Sequence, residues 1–330
     1  MKNEPQNHAT RHAPAGGTYV LLTLSAFFWG ATFNAAKVAL RSLTPLTIAA
    51  TRFAIAGGLM AAVVVVREKN ILATVRRNIG IFTFMALVGV VGFNAFFFFG
   101  MRYTSPTNAA LIMATNPLIT ALLSSVLLGE AIHREHRVGM LLSALGVAIL
   151  VTANNAVARV NVGDLYIMAA NTCFALYAVA GKKYVEQSTP VMSTAAMMVL
   201  GAPVLWVLAR IWEPHASVRG LPLDAYAAIF FMAVMGSVLA YLFWNHGLGR
   251  IGVANTTVFV HLVPVFTVVM SFVLHQAVSL VQLGAGVLVI VGVLISSGFV
   301  GRLLKRAATR RKVLASEVGQ VAPSGDGAGP

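Results

Sequence analysis

Residues 45–66 read PLTIAATRFAIAGGLMAAVVVV, and Arg52 is the single charged side chain among them. As a helix that rises about 1.5 Å per residue, this stretch is long enough to cross the roughly 30 Å hydrocarbon core of a bilayer. Lipid offers no partners to backbone N–H and C=O groups, so a continuous apolar run without the alternation of barrel strands must be helical. The stretch therefore predicts a membrane-spanning α-helix.

Similar stretches fill most of the chain. Of its 330 residues 58% are hydrophobic and 10% are charged, a balance that excludes an ordinary water-soluble domain. We predict an all-α polytopic membrane protein with ten transmembrane helices, which leaves little length for a soluble catalytic domain. The predicted spans are 18–40, 45–66, 79–101, 105–128, 137–154, 163–184, 190–212, 223–247, 252–274 and 279–300.

The net charge of +14 does not indicate nucleic-acid binding, because the basic residues lie between apolar segments and in a tail rather than on one amphipathic patch. The single cysteine, Cys173, lies inside an apolar segment, so we expect no disulfide framework and no cysteine-based metal site. No cofactor is expected. The expected partners are a small-molecule substrate and the lipid bilayer, and both a monomer and a homodimer stay open.

The basic residues also predict the orientation. In an N-in arrangement the opposite side holds only Arg41, Arg102, Arg159, Arg210 and Arg219. The cytoplasmic connections and tail hold Arg67, Lys69, Arg76, Arg77, Arg134, Arg137, Lys182, Lys183, Arg250, Arg302, Lys305, Arg306, Arg310, Arg311 and Lys312. By the positive-inside rule both termini are cytoplasmic, which requires an even number of spans in the expected bacterial inner membrane. We predict a cytoplasmic N-terminal segment at 1–17 and a basic, disordered tail at 301–330.

The chain contains an internal repeat. We predict a first five-helix repeat at 18–155 and a second at 156–300, and an odd number of spans per repeat requires opposite orientations in the bilayer. A shift of 147 residues places Asn108, Pro117, Thr120, Ser124, Gly89 and Gly100 on Asn255, Pro264, Thr267, Ser271, Gly236 and Gly247, and a shift of 145 places Lys37, Thr44 and Pro45 on Lys182, Thr189 and Pro190.

Several short motifs follow one another along the two halves of the chain. They are Phe28-Trp29-Gly30, Arg52-Phe53 with Ala56, Pro117-Leu118, Leu128-Gly129-Glu130, Gly163-Asp164-Leu165, Ala175-Leu176-Tyr177, Tyr241 with Trp244, and Pro264-Val265-Phe266. Together they resemble the drug/metabolite transporter superfamily, and more narrowly its EamA-type branch of ten-helix exporters, over residues 18–300. This resemblance implies export of amino acids or related small metabolites through a central cavity lined by both halves. One departure is Leu274-His275-Gln276, where the family usually repeats Leu-Gly-Glu.

Polar side chains inside hydrocarbon normally face the bundle interior or a wet cavity, because an unpartnered polar group there costs several kcal/mol. The resemblance also places three aromatic residues around the cavity, where they would favour flat or hydrophobic substrate groups. The candidate substrate-binding residues are Trp29, Asn34, Arg52, Asn94, Asn108, Asn116, Asn171, Tyr177, Trp244 and His261.

His261 is expected near the midplane of the ninth span. It precedes Pro264, which cannot donate a backbone hydrogen bond and so frees the carbonyl of Val260, as Pro117 frees that of Met113. Two interpretations stay open: His261 contributes to substrate binding or gating, or it joins two helices by hydrogen bonding.

Lys37 and Arg52 are expected at different depths in their spans. Lys37 is close to the end of its span, so we expect it to snorkel to the interface. Arg52 is deeper and would have to bond to carbonyls, to amides or to an anionic substrate. Since we expect no acidic side chain inside the spans, proton coupling would depend on His261 or be absent, and export driven by the substrate gradient is favoured.

The sequence thus predicts an exporter of small metabolites, above all amino acids, that works by alternating access around a midplane cavity. A drug/cation or nucleobase efflux carrier is the alternative, and a membrane-embedded sensor or enzyme is the alternative of another class. His133-Arg134-Glu135-His136 lacks the residue order of a metalloprotease motif, and no Gly-x-Ser-x-Gly or phosphate-binding loop is present, so an enzyme is not expected.

Overall fold

The computed structural model describes residues 16–129, 134–153 and 161–296, and every regular element in these residues is helical. The predicted all-α class is confirmed for this part of the chain. The tail at 301–330, His133 and most of the N-terminal segment lie outside it. The α-helices are α1 Gly16–Ala39, α2 Pro45–Arg67, α3 Ile71–Met85, α4 Phe93–Tyr103, α5 Pro106–Met113, α6 Asn116–Leu128, α7 Arg134–Ala153, α8 Val162–Tyr184, α9 Pro190–Trp212, α10 Leu223–Ala233, α11 Ala240–Thr256, α12 Leu262–Val273 and α13 Leu280–Ser296.

Within the described residues, seven helical stretches are long and apolar enough to cross a membrane, which confirms a polytopic membrane protein. They are Gly17–Ala39, Pro45–Arg67, Ile71–Tyr103, Pro106–Leu128, Val162–Tyr184, Pro190–Trp212 and Leu223–Gly252. Two shorter apolar helices cover Phe259–Val273 and Leu280–Gly292, and α7 is a further helix of 20 residues. The third long helix begins at Ile71, eight residues before the predicted span at 79–101, because it continues through Arg76 and Arg77 beyond its apolar part.

Both predicted proline sites coincide with interruptions. Pro117 lies at the start of α6, after a break at Ala114 and Thr115. There the carbonyl of Ile112 accepts hydrogen bonds from the backbone N–H and the side-chain hydroxyl of Thr115. Before Pro264 the chain forms a 3₁₀ turn at Thr257–His261, and Gly252 has a positive φ of 75° inside the preceding helical stretch. The helices at the predicted fourth and ninth spans are therefore discontinuous.

Two π-helical turns interrupt the helical stretches Ile71–Tyr103 and Leu223–Gly252. They lie at Ala86–Gly92 between α3 and α4 and at Val234–Leu239 between α10 and α11. Each contains one member of the repeat-related pair Gly89 and Gly236. A Cβ on Gly89 would lie 2.7 Å from the ring of Tyr177, and a Cβ on Gly236 would clash with Thr32. These two glycines allow α8 and α1, respectively, to approach the π turns.

The helices pack in a pattern that is unchanged when the two segments of the predicted repeat are exchanged. Helix α1 packs on α10, α11 and α12, whereas α8 packs on α3, α4 and α6. Helix α2 packs on α9, and α7 packs on α13. When the two segments are exchanged, the contact of α1 with α12 corresponds to the contact of α8 with α6. The pairs α2–α9 and α7–α13 each correspond to themselves.

Two glutamates that follow α2 and α9 bind the first residues of the opposite helix. The Glu213 carboxylate accepts hydrogen bonds from the N–H groups of Leu46 and Thr47, at 3.0 and 2.8 Å, and from the hydroxyls of Thr44 and Thr47. Glu68 accepts one hydrogen bond, from the hydroxyl of Thr189. A carboxylate at a helix N-terminus satisfies free N–H donors and complements the helix dipole, so both contacts hold α2 and α9 antiparallel.

Candidate functional site

Arg52 lies in the middle of α2 and is 6% exposed. Its Nε donates a hydrogen bond of 2.9 Å to Oγ of Ser237, which lies in the second π turn and in turn donates to the carbonyl of Met232. The guanidinium also lies 5.3 Å from the ring centre of Phe53. The terminal nitrogens Nη1 and Nη2 form no hydrogen bond with the described residues, so two ends of the guanidinium are available to a ligand.

Aromatic side chains from α1, α8 and α11 gather next to Arg52. The indole Nε1 of Trp29 donates a hydrogen bond of 3.2 Å to the carbonyl of Gly236 in the same π turn. The Trp29 ring lies 5.6 Å from Tyr241 and 5.2 Å from Trp244. Electrostatic interactions link Tyr241 to both Tyr177 and Arg52. We call Trp29, Arg52, Tyr177, Ser237, Tyr241 and Trp244 the Arg52 group.

The second π turn positions this group. A π turn shifts the hydrogen-bonding register of a helix and occurs often at functional sites. Here it presents the Gly236 carbonyl to Trp29 and the Ser237 hydroxyl to Arg52. One short segment thus joins α1, α2 and α11.

Arg52 has no carboxylate within ion-pair distance among the residues that the structure describes. A buried charge without a counter-charge is costly, because burial removes its hydration. Arginine binds carboxylates and phosphates with two parallel hydrogen bonds, and Tyr and Trp rings favour flat or apolar groups. The Arg52 group can therefore hold the anionic end of a small molecule against an aromatic wall.

The structure brings three other predicted residues into helix contacts. Asn34 in α1 donates to the carbonyl of Thr267, at 3.1 Å, and accepts from Ser271, also at 3.1 Å. The Asn116 amide donates to Oδ1 of Asn171, at 2.7 Å, and Asn171 donates to the carbonyl of Ile112 at the α5–α6 break. Hydrogen bonds that satisfy both ends of a buried amide indicate a structural role, so these three join discontinuous helices.

Asn94 and Asn108 differ from those three. Asn94 is fully buried and donates to the carbonyl of Val90, but its Oδ1 has no partner among the described residues. Asn108 lies at the beginning of α5, where its Oδ1 accepts a hydrogen bond of 2.7 Å from Gln282. No contact joins Asn108 to the Arg52 group.

His261 ends the 3₁₀ turn and is partly buried, and its imidazole forms no hydrogen bond with the described residues. Phe259 stacks on Tyr19 near the start of α1, at 6.0 Å, while Val263 lies beside Gly30. His261 is thus between these two levels, and its function stays a prediction.

One expectation about charged residues was wrong, and another stays a prediction. Lys37 Nζ donates hydrogen bonds of 2.7 Å each to the carbonyls of Met101 and Thr104 at the end of α4, and whether this position is at the membrane interface stays a prediction. An acidic side chain does lie inside a span, because Asp164 at the start of α8 is 1% exposed and hydrogen-bonded to the hydroxyl of Thr104. The end of α4 supplies partners to both residues, which the apolar pattern of the spans did not reveal.

Tyr241 and Ser237 lie in the Arg52 group, although neither was among the candidate residues predicted from the sequence. Two sequence features could have indicated them: Gly236, which is next to Ser237, pairs with Gly89 in the predicted repeat, and Tyr241 forms a motif with Trp244. Two cavities among the described residues lie away from the Arg52 group. One of about 550 Å³ lies at the ends of α1 and α4, and one of about 460 Å³ lies in an apolar groove between α2 and α9.

Comparison with known proteins agrees with a membrane carrier. The model of the EamA-like transporter family matches the chain in two segments, residues 17–152 and 161–298. The chain belongs to the EamA-like transporter family. The function of this EamA-like protein is therefore transport rather than catalysis, and it is a multi-pass protein of the bacterial inner membrane.

Individual relatives are similar over most of their length. An uncharacterized transporter of Bacillus subtilis, YyaM, is 37% identical over 286 residues, which cover 86% of this chain and 94% of the relative. A probable terminal-alkyne amino-acid exporter of Streptantibioticus cattleyicolor is 25% identical over 285 residues, 83% of this chain and 91% of the relative. One crystal structure matches the EamA-like chain with a TM-score of 0.60 at 20% identity, covering 87% of this chain and 99% of that one, which shows a shared fold.

Proposed function

We propose that this EamA-like transporter exports small metabolites that carry a carboxylate, most directly amino acids. The observation that carries the proposal is Arg52, a buried cation with two free guanidinium ends beside an aromatic wall. A carboxylate would supply the missing counter-charge and the missing hydrogen-bond acceptors. Trp29, Tyr177 and Trp244 would contact the rest of the substrate.

Two further observations favour amino acids. The amide Oδ1 of Asn94 is a buried acceptor without a partner among the described residues, so a donor such as an ammonium group would suit it. A relative that covers most of this chain is named as a probable amino-acid exporter. A buried Arg52 argues against cationic drugs, since like charges repel. A neutral nucleobase would leave the charge of Arg52 uncompensated.

The proposed architecture is ten spans, arranged as two inverted five-helix repeats at 18–155 and 156–300, with both termini in the cytoplasm. Its support is the packing pattern that survives exchange of the repeats, the equivalent π turns at Gly89 and Gly236, and the reciprocal contacts of Glu68 and Glu213. A family model that matches twice, on either side of residue 155, agrees with it.

The proposed alternating access is supported by the burial of Arg52. Arg52 is 6% exposed, so the surrounding helices must move before a solute reaches it. Discontinuous helices and π turns provide places where the chain can bend at low cost. We propose that the substrate gradient drives export, and that His261 acts in gating.

A flux screen tests the proposal. The protein would be reconstituted in liposomes and assayed with amino acids, nucleobases and cationic drugs, with and without a proton gradient. We expect efflux of amino acids, and a loss of at least about tenfold in Arg52→Gln, which cannot form the charge-assisted bidentate pair. Arg67→Gln, an exposed position at the end of α2, is the control. Amino-acid flux that is equal in Arg52→Gln and wild type would refute the proposal.

A further inference from the structure

A second cationic site lies at one mouth of the helix bundle, away from the Arg52 group. Its cavity of about 550 Å³ opens between the C-terminal ends of α1 and α4 and the beginning of α5. Leu40, Met101 and Pro106 form apolar parts of the wall, and the segment before α13 contributes Gln276. We call this cavity the vestibule.

Three basic residues line the vestibule, namely Lys37, Arg41 and Arg102, and none of its lining residues is acidic. Lys37 is held by the carbonyls of Met101 and Thr104, so its charge has a fixed position in the wall. Arg41 and Arg102 are exposed, and neither guanidinium forms a hydrogen bond or an ion pair with the described residues. The vestibule therefore contains positive charge without a counter-charge.

Two buried or bonded carboxylates lie outside the vestibule lining. Asp164 is 1% exposed, and the hydroxyl of Thr104 donates a hydrogen bond to one of its oxygens. Glu213 is fully engaged at the start of α2 by two N–H groups and two hydroxyls. Neither carboxylate lines the vestibule.

We propose that the vestibule binds a small oxyanion, a carboxylate or a phosphate group, between Arg41 and Arg102. Guanidinium groups bind such oxyanions bidentately, and a concave wall with apolar parts raises the strength of the interaction over that at an open surface. The amide of Gln276 supplies an additional donor in the same wall.

The vestibule lies about two turns of α1 beyond the Arg52 group. Lys37 follows Trp29 by eight residues on α1, a rise of roughly 12 Å. If the proposed function holds, an anion that leaves Arg52 toward this mouth meets a second cationic position before it reaches solvent. Binding at the vestibule itself does not depend on that function.

Thiol labelling tests the proposal without any transport assay. In a Cys173→Ser background, Tyr103→Cys places a thiol in the vestibule wall, and Tyr226→Cys is an exposed control outside it. We expect an anionic methanethiosulfonate to modify position 103 about tenfold faster, relative to its cationic counterpart, than position 226. Inorganic phosphate and benzoate, added at constant ionic strength, should slow labelling at position 103 and leave position 226 unchanged.

The double variant Arg41→Gln/Arg102→Gln should lose both the charge preference and the protection, whereas Arg67→Gln/Arg76→Gln should retain both. Gln276→Cys is a second reporter in the same wall if Tyr103→Cys does not fold. Protection by phosphate or benzoate in neutral detergent assigns a soluble oxyanion, and protection seen only in nanodiscs that contain phosphatidylglycerol assigns a lipid headgroup. Equal labelling by the two reagents, or no protection by any of these anions, would overturn the proposal.

Discussion

At the scale of single residues, Arg52 and Met197 occupy equivalent positions of the proposed repeat, since a shift of 145 residues relates them. Both are buried, at 6% and 3% exposure, but only the first is charged. An unbranched apolar side chain can therefore fill the buried space at this place in the fold. Packing at this position therefore does not require the charge of Arg52.

Arg52→Met is expected to separate stability from transport. Replacing a buried, unpaired charge with an apolar side chain of similar length is neutral or stabilising by about 1–3 kcal/mol, and Ser237 keeps its bond to the carbonyl of Met232. We expect an unchanged or higher melting temperature in detergent, together with loss of amino-acid flux. Met197→Leu is the control and should affect neither. A clear fall in the melting temperature of Arg52→Met would instead make Arg52 a structural link between α2 and α11.

His275 occupies the glycine position where the chain departs from the Leu-Gly-Glu pattern, and its backbone conformation resembles that of a glycine. His275 has a φ of 52°, and Gly129, at the equivalent place after α6, has a φ of 70°. Both helices thus end in a left-handed residue, which is the conformation that glycine adopts without strain. The left-handed backbone conformation is thus present at both positions, although only one of them is a glycine.

His275→Gly is therefore expected to stabilise the protein by about 0.5–1 kcal/mol, because it removes the strain of a Cβ at positive φ. Thermal unfolding in detergent would measure the change. His246→Gly, at an exposed position inside α11, should destabilise by about 1 kcal/mol because glycine weakens a helix interior. If His275→Gly lowered the melting temperature as well, the imidazole would have a stabilising contact of its own.

At the scale of helices, Glu213 and Glu68 make equivalent contacts of unequal extent. Both of the Glu213 oxygens are engaged, by four donors of the first turn of α2. Glu68 accepts from Thr189 alone, while Thr189 itself accepts from the N–H of Met192 at 3.0 Å. The start of α2 therefore depends on the opposite repeat, and the start of α9 is capped by its own threonine.

Glu213→Gln should consequently destabilise more than Glu68→Gln. Glutamine has one acceptor oxygen, so Glu213→Gln leaves at least one N–H donor of α2 unsatisfied, at a cost of about 1–2 kcal/mol. In Glu68→Gln the remaining oxygen can still accept from Thr189, and we expect a change below about 0.5 kcal/mol. Melting temperatures of the two variants give the comparison. Equal losses would show that the number of hydrogen bonds does not decide the strength of these contacts.

At the scale of the whole molecule, the length of the apolar runs predicted the helices, because a backbone in lipid has no alternative to helical hydrogen bonding. Contacts between distant segments were not predictable in the same way. Glu213 lies in a polar connection, and nothing near it in the sequence reveals that it binds α2. The π turn at Gly236 interrupts an apolar run whose hydropathy is continuous, so Ser237 and Tyr241 were not selected, although Arg52, Trp29, Tyr177 and Trp244 were.

The inversion of the two repeats can be tested with Arg67 and Trp212, which end α2 and α9 and are related by a shift of 145 residues. Both are exposed, and α2 and α9 run antiparallel, held by Glu213 at one end and Glu68 at the other. If the repeats are inverted, equivalent positions lie on opposite sides of the bilayer. In a Cys173→Ser background, a membrane-impermeant maleimide should label Trp212→Cys in intact spheroplasts and Arg67→Cys in inverted vesicles, because the basic connection after α2 is cytoplasmic by the positive-inside rule. Labelling of both positions from one side would exclude an inverted repeat, and with it alternating access by exchange of the two halves.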